Sequence, residues 1–129
     1  MLLGAIAAPT RERLKEMNAK GGYPMSLVCD EGGLLLTTAG DGADEDQLAG
    51  LTSLFDDIVT RANRDVGMHA IDEVSLVDRE WGRCVIRPIG TYGGRRWFLV
   101  CKVPRRATWR MHTNRALKQI AALMAASDA

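Results

Sequence analysis

The two histidines and the adjacent carboxylates Asp56 and Asp57 have side chains of the types that suit acid–base or metal chemistry. His69 lies in a predicted loop and His112 on the last predicted helix, and neither has Cys, Asp or Glu at metal-ligand spacing on its own element. Asp56 and Asp57 are neighbours on a predicted helix, where consecutive side chains point about 100° apart. This spacing does not pair an acid with a base, so we predict no metal site and no acid–base pair.

The three cysteines, Cys29, Cys84 and Cys101, all fall within predicted strands. None has a flanking base that would activate a nucleophile, and the G-x-S-x-G motif of serine hydrolases is absent. An odd number of cysteines does not make a closed disulfide framework. We therefore predict buried free thiols in a reducing compartment, with no catalytic residue, no cofactor and no enzymatic activity.

A glycine-rich segment, residues 90–96, ends in Arg95 and Arg96 and has the composition of a phosphate cradle. A phosphate-binding loop of the G-x-x-x-x-G-K-[ST] type would open a helix, and the chain contains no such motif. Glycines beside Tyr92 suit a tight turn between two strands instead. We predict a hairpin at this position.

Charge is divided unevenly along the chain, although the net charge is only +1. Residues 1–80 carry 7 basic and 15 acidic side chains, a balance of −8, whereas residues 81–129 carry 10 basic and 1 acidic side chain, a balance of +9. Such a division creates a field that steers a charged partner if the two sets lie on different surfaces. It has no such effect if the two sets interleave in space.

The basic residues of the second half allow one alternative function, because such a cluster can follow the phosphates of nucleic acid or anionic lipid. Few aromatic residues accompany them, and the isoelectric point of 7.7 lies below the usual value for a nucleic-acid-binding domain. We therefore expect no nucleic-acid partner. The basic set consists of Arg95, Arg96, Lys102, Arg105, Arg106, Arg110, Arg115 and Lys118.

Hydrophobic periodicity predicts eight elements in the order α-β-β-α-β-β-β-α. Thr10 is the predicted N-cap of the first helix, and Pro88 indicates a strand end or an edge. We predict one α+β domain, residues 10–126, built on a five-stranded antiparallel sheet between helices, after an N-terminal extension of residues 1–9. The predicted helices cover residues 11–19, 44–65 and 108–125; the predicted strands cover residues 25–29, 34–38, 71–77, 83–89 and 95–103; residues 39–43 are a predicted loop.

The long second helix has start and stop signals. Asp44 and Gln47 have the spacing of a capping box, and Gly67 follows the last periodic residue. Apolar residues extend beyond one stripe, since Leu54 and Val59 flank the main row, and such a helix usually touches two surfaces. We expect one surface to be the sheet and the other a second copy of the chain. The predicted buried row is Leu48, Leu51, Phe55, Ile58 and Ala62.

The N-terminal octet, residues 1–8, is apolar but lacks the basic start and the length of a secretory signal. No stretch approaches the roughly 20 apolar residues of a membrane span, so we expect a cytoplasmic protein. The octet is expected to dock on its own domain or on a neighbour. Trp97 is expected in the core, whereas Trp81 and Trp109 are expected either to pack on the domain or to serve as anchors for a partner.

Three segments together resemble the roadblock/LC7 family, in particular its bacterial MglB-like group, over roughly residues 10–125. The first is the hairpin 26–38, Ser-Leu-Val-Cys-Asp-Glu-Gly-Gly-Leu-Leu-Leu-Thr-Thr, which is similar to the family's apolar strand, D-x-x-G turn and second apolar strand. The second is the long amphipathic helix that follows it. The third is the apolar strand leading to Arg115-Ala-Leu-Lys-Gln-Ile, which is similar to the family's closing helix.

The resemblance implies a sheet with the long second helix on one face and the terminal helices on the other. It also implies a homodimer in which the third strands join and the long helices pack together. Asp72 and Glu73 depart from this pattern, because two copies paired there would bring like charges together. The implied dimer interface is Ile71, Val74, Ser75, Leu76, Val77, Leu51, Leu54 and Ile58, and the implied partner-binding residues are Gln47, Gly50, Asp57 and Arg61.

From this resemblance we predict a non-enzymatic homodimeric scaffold that binds a small Ras-like GTPase, or a related signalling protein, through its paired long helices. One alternative is a small-molecule sensor of the PAS or GAF type, which requires a buried cavity with convergent polar groups. The other is the basic nucleic-acid-binding domain, which would lose affinity steeply with salt.

Overall fold

The computed structural model describes residues 2–41 and 44–128. Within these residues the order of elements is α-β-β-α-β-β-β-α, as the periodicity predicts. The helices are α1 (Leu3–Gly21), α2 (Glu45–Val66) and α3 (Arg110–Asp128). The strands are β1 (Met25–Asp30), β2 (Leu35–Gly40), β3 (Val74–Asp78), β4 (Gly82–Tyr92) and β5 (Arg95–Val103).

The five strands form one antiparallel sheet in the order β2-β1-β5-β4-β3. β5 lies at the centre, pairs with β1 and β4, and has the predicted limits. Residues 97–101 of this strand are all buried, because helices cover both faces of the sheet at its centre. β2 and β3 form the two edges, so β3 has a strand partner on one side only among the described residues.

The helices form a layer on each face of the sheet. α1 and α3 lie on one face, where Leu14 and Ile120 pack into the same core as Leu99. α2 lies on the other face, where the Phe55 ring meets the Phe98 ring edge to face at a centroid distance of 5.0 Å. No helix in the described part of the chain is long and apolar enough to cross a membrane.

The turn between β1 and β2 forms as the sequence predicts. Asp30 Oδ1 accepts hydrogen bonds from the amides of Gly32 and Leu34, each at 2.9 Å. Gly33 has a φ of 83°, a conformation that residues with a side chain rarely adopt. A Cβ on Gly33 would also approach the Ala49 carbonyl oxygen to 2.9 Å, so this glycine brings the turn close to α2.

The first helix begins at Leu3, well before its predicted start. Thr10 is therefore not an N-cap, since it lies inside α1 and is fully buried. Pro9 also lies inside α1, where its missing amide removes one helical hydrogen bond. The helix persists because Ile6 packs into the core on the same face as Leu14. Residues 3–9 of the predicted N-terminal extension are thus continuous with the first helix of the domain.

The second helix buries a different row from the predicted one. Leu48 and Phe55 are buried as expected, but Leu51 and Ile58 are 37% and 50% exposed. Thr52 is fully buried between Leu48 and Phe55. The sheet therefore contacts the row of positions 48, 52 and 55, and Leu51 and Ile58 of the predicted row lie to one side of it.

The predicted capping box at the start of α2 is wrong. Asp44 precedes the helix but makes no side-chain hydrogen bond to a helical amide. Its Oδ2 instead accepts a hydrogen bond from Trp81 Nε1 at 3.4 Å, because the turn before β4 lies beside it. The predicted end is confirmed, since Gly67 caps α2 in the left-handed conformation.

Strand β4 continues past Pro88, so the proline does not end the strand, although β4 is locally an edge at this position. The ladder between β4 and β5 shifts register between Pro88 and Gly90, and this bulge accommodates the proline. Pairing with β3 has already ended at Ile86. At the proline, β4 therefore has only one neighbouring strand, which is where a residue without an amide is tolerated.

The limits of three other elements differ from the prediction by a few residues. β2 runs through Ala39 to Gly40, two residues of the predicted loop, while Gly42 and Ala43 of that loop lie outside the described residues. β3 begins at Val74, three residues later than predicted. α3 begins two residues later than predicted and continues three residues further.

Candidate protein-interaction surface

A row of exposed leucine and isoleucine side chains runs along α2. Leu51, Leu54 and Ile58 are 37%, 56% and 50% exposed, and they are spaced three and four residues apart, so they share one side of the helix. The neighbouring row at Leu48 and Phe55 is buried against the sheet. We call Leu51, Leu54 and Ile58 the apolar row. It is the second surface that the amphipathic pattern predicts for this helix.

The edge strand β3 adds apolar residues next to this row. Leu76 is 52% exposed and pairs with Cys84, so it lies on the same sheet face as α2. Val77 is 60% exposed at the same edge. Together with Leu48 and Leu51 these residues line a groove of about 390 Å³ between the start of α2 and β3. The structure thus brings the apolar row and the edge strand into one continuous surface.

Trp81, which the sequence left as either a packing residue or an anchor for a partner, completes this groove. The indole is half-buried, donates to Asp44, and lies 4.4 Å from Lys102 Nζ, measured to the ring centroid. Lys102 and Asp44 thus hold the ring from two sides. Its presence in a turn among charged residues was the signal that could have placed it in the surface.

Two residues of the predicted dimer interface lie elsewhere. Ile71 precedes β3 and lines a separate cavity of about 160 Å³ with Phe55 and Pro88. Ser75 pairs with Val85, whose side chain packs in the core on the α1 and α3 side, so Ser75 faces away from α2. Val77 alternates with Leu76 and so shares the sheet face of Ser75, although it lines the end of the groove. The remaining predicted interface residues are brought together on the α2 side of the sheet: Val74, Leu76, Leu51, Leu54 and Ile58.

The predicted partner-binding residues lie on the exposed side of α2. Gln47 lines the groove. Gly50, Asp57 and Arg61 follow one another at helical spacing beside the apolar row. Asp57 and Arg61 form an exposed ion pair with an N–O distance of 3.2 Å. α2 therefore presents an apolar row flanked by polar side chains, the composition of a protein-binding surface.

The like charges of Asp72 and Glu73 are neutralised within the chain. Arg110 Nη2 lies 2.9 Å from Asp72 Oδ2, and Arg110 Nη1 lies 3.1 Å from Glu73 Oε1. The hydrogen bond from Arg110 lowers the pKa of Asp72. Burial alone raises the pKa of Glu73, but hydrogen bonds from Trp109, Arg110 and Ser75 outweigh it, and the net shift is downward. The sequence pattern missed this compensation, because Trp109 is 36 residues from Glu73 and Arg110 is 38 residues from Asp72.

The thiols are buried and free, as predicted. Burial raises the pKa of Cys29 and of Cys84 to about 11, and it raises the pKa of Cys101 as well. A thiol with a raised pKa is a poor nucleophile at neutral pH, because the thiolate is the reactive form. Within residues 2–41 and 44–128, no group of three His, Cys, Asp or Glu side chains is arranged to hold a metal ion.

The acidic and basic halves of the sequence interleave in space. In the described residues, every ion pair between side chains more than four positions apart joins an acid of residues 1–80 to an arginine of residues 81–129. Arg96, for example, lies 2.7 Å from Glu31 and 2.8 Å from Asp56. Three members of the predicted basic set, Arg95, Arg96 and Arg110, are therefore engaged with carboxylates of the same chain.

No family model and no curated protein matches this sequence. Solved structures do match. MglB of Myxococcus xanthus is 14% identical, with a TM-score of 0.78 over 93% of this chain and 90% of that chain. The gliding protein MglB of Thermus thermophilus is 20% identical, with a TM-score of 0.80 over 98% and 96%. A roadblock/LC7 domain of Streptomyces avermitilis is 13% identical, with a TM-score of 0.63 over 90% and 92%. The chain thus has the predicted roadblock/LC7 fold.

Proposed function

We propose that this chain is a non-enzymatic roadblock/LC7 scaffold of the MglB-like group, which forms a homodimer and binds a small Ras-like GTPase through its paired α2 helices. The fold is the premise of this proposal. A cytoplasmic location is part of it, because such GTPases work there and because the three thiols are free.

The continuous apolar surface of α2 and β3 is the observation that carries the proposal. Leu54, Ile58 and Leu76 are each at least half exposed, and Leu51 of the same helix row lines a groove with Leu76 of the edge strand β3. An exposed apolar patch next to an open strand edge marks an interaction site, because both features are costly to leave in water. A second copy that pairs β3 with β3 and α2 with α2 would cover both.

Self-association is also suggested by the solved structures of the same fold. One of them, described as MglB with tetrameric arrangement, is 20% identical with a TM-score of 0.81 over 98% of this chain and 96% of that chain. Pairing two copies would place Gln47, Gly50, Asp57 and Arg61 of each α2 on one composite surface. We assign GTPase binding to that surface.

The dimer is tested by light scattering of the wild-type chain and of Leu54→Glu. We expect a mass near twice 14.1 kDa for the wild type and a shift toward the monomer for the variant, because the substitution buries an uncompensated charge in the interface. Met111→Glu is the matched control, since Met111 is 72% exposed on α3, on the opposite face of the sheet. Equal masses for the two variants would contradict the proposed interface.

GTPase binding is tested by calorimetry with a Ras-like GTPase from the same genome, loaded either with GDP or with a non-hydrolysable GTP analogue. We expect saturable binding by the dimer and a large loss of affinity for Leu54→Glu, because the binding surface is composite. If a monomeric variant bound the GTPase with unchanged affinity, dimerisation would not be required for binding. If the chain bound the GTPase in neither nucleotide state, the proposed GTPase partner would be refuted.

The sensor alternative fits the surface less well. The groove between α2 and β3 is open and mainly apolar, with Leu48, Leu51, Leu76 and Val77 in its lining. A small-molecule site is expected to enclose its ligand and to supply several convergent polar groups. The nucleic-acid alternative predicts binding to duplex DNA that weakens steeply with salt, and the same calorimeter would detect it.

A further inference from the structure

A polar cluster joins the start of α3 to the segment that leads into β3. We call it the α3 clamp, and it consists of Asp72, Glu73, Arg87, Trp109 and Arg110. Its members come from three parts of the chain: the loop before β3, strand β4, and the beginning of the last helix. Neither the apolar surface nor the proposed partner-binding patch includes them.

Glu73 is the most heavily bonded carboxylate of the clamp. Its Oε1 accepts hydrogen bonds from Trp109 Nε1 at 2.8 Å and from Arg110 Nη1 at 3.1 Å, and its Oε2 accepts one from Ser75 at 3.0 Å. The side chain is only 19% exposed. The Trp109 ring is itself held by Arg83, whose guanidinium carbon lies 4.3 Å from the ring centroid. These bonds fix the residue immediately before β3.

Arg87 ties the same segment to α3 from inside the protein. It is 4% exposed. Its Nε donates to the Asp72 carbonyl oxygen at 3.2 Å, and its Nη1 donates to Thr113 Oγ1 at 2.9 Å and to Asn114 Oδ1 at 2.5 Å. A buried guanidinium requires such acceptors, because leaving it without them is very costly. Arg87 therefore constrains the backbone at Asp72 and the first turn of α3 together.

β3 is a short strand at an edge of the sheet. It has five residues and pairs only with β4, through Val74 to Asp78. The residues between Gly67 and Val74 belong to no helix or strand. Short edge strands that follow an irregular segment open easily, because few bonds hold them. The clamp ends where the β3 ladder begins.

We propose that Glu73 and Arg87 are positioning residues for the dimer edge, and that the start of α3 thereby controls the geometry of β3. Holding the segment at Asp72 and Glu73 keeps β3 in register with β4 and keeps Leu76 on the α2 side. The consequence for dimerisation rests on the proposed function; the anchoring of β3 does not. A substitution at Trp109 or Arg110 would thus alter the geometry of β3 indirectly, through Asp72 and Glu73.

The anchoring is tested by hydrogen exchange on the full chain, with Glu73→Ala, Glu73→Gln and the control Glu12→Ala. Glu12 also takes part in an ion pair, with Lys15 at 3.2 Å, but it lies on α1. For Glu73→Ala we expect exchange of the β3 amides to accelerate about tenfold, because hydrogen bonds to a charged group are lost. Glu73→Gln keeps an acceptor for Trp109 and should recover part of the protection.

If Glu73→Ala only destabilised the whole domain, exchange would accelerate in β1 and β5 to the same degree as in β3. That result would overturn the proposal. Unchanged exchange in β3 would overturn it as well. In the same samples, light scattering should show weaker dimers for Glu73→Ala than for Glu12→Ala. A wild-type chain that is monomeric at all concentrations would refute the proposed function, while the exchange pattern would still decide whether the clamp anchors β3.

Discussion

Arg96 illustrates how single residues of this chain are used. Its guanidinium contacts Glu31 in the turn after β1 and Asp56 on α2, so one side chain joins three elements. The hydrogen bond from Arg96 lowers the pKa of Glu31. Arg87 and Arg110 have the same role at the other end of the sheet. Arg96 and Arg110, two members of the basic set that could follow phosphates, thus act as internal cross-links in the folded protein.

Asp57 is the residue on which we expect partner recognition to depend. Asp57→Lys should weaken GTPase binding by about tenfold, because a reversed charge on the binding surface repels the group that the carboxylate attracts. The fold should be unaffected, since the ion pair with Arg61 is exposed and such pairs contribute little. Calorimetry measures the affinity. The same reversal at Glu12, on the opposite face, should leave it unchanged, and equal losses in both variants would contradict the assignment.

The buried thiols predict a loss of stability at alkaline pH. The pKa of Cys29 and of Cys84 rises from 9.0 to about 11 on folding. The free energy of unfolding should therefore not depend on these thiols below about pH 9, and should fall between about pH 9 and pH 11, where only the unfolded chain ionises. Urea titrations across this range measure the fall.

The control for the thiol prediction is the pair of variants Cys29→Ala and Cys84→Ala. Each should show a shallower fall than the wild type between about pH 9 and pH 11, because one ionising thiol is missing. An identical pH profile in wild type and variants would contradict the prediction, as would rapid modification of the native thiols by a thiol reagent at neutral pH.

At the scale of elements, amphipathic pattern and tertiary contact together decide where a helix begins and which row it buries. α1 continues through Pro9 because its first turns pack on the core. α2 places Thr52 against the sheet and leaves Leu51 and Ile58 outside. Both departures from the pattern have one cause: burial depends on what lies opposite a residue, and its own hydrophobicity does not supply that information.

The start of α1 yields a direct test of whether residues 3–9 are part of the folded domain. Ile6→Ala should lower the free energy of unfolding by about 2–4 kcal/mol, because Ile6 is 5% exposed and packs in the core. Leu2→Ala removes a similar side chain that is 74% exposed, and it should change stability by less than about 0.5 kcal/mol. Urea denaturation measures both. Equal small effects would mean that the segment does not contribute to the domain.

The whole molecule is a three-layer structure in which oppositely charged side chains of different elements form ion pairs. The division of −8 and +9 along the sequence becomes a set of ion pairs between the two halves. The charges therefore do not form two separate patches at these positions. Among the described residues, the apolar surface of α2 and β3 stays exposed at this scale.

The dimer should consequently be insensitive to salt. Apolar contacts and strand pairing do not weaken with ionic strength, whereas contacts between charged faces are screened within about 3 Å at 1 M salt. We expect the mass to stay near twice 14.1 kDa from about 0.05 M to about 1 M salt in light scattering. Dissociation at high salt would show that a charged face, and not the apolar row, holds the two copies together.

The order of elements, the turn at Asp30 and the limits of β5 could be predicted from the sequence, because each depends on local signals. These are the period of apolar residues, a carboxylate that accepts hydrogen bonds from amides two and four positions away, and an apolar run over residues 97–101 in a strand that Pro104 ends. The two-sided character of α2 was predictable for the same reason.

Only the tertiary structure decided three other features. They are the row of α2 that is buried, the residue at which α1 begins, and the position of Pro88 within β4. Each depends on which residues the fold places opposite one another. The compensation of Asp72 by Arg110 is the clearest case, since 38 residues separate them along the chain. Local pattern determines which element forms, whereas contacts between distant residues determine which of its faces is left for a partner.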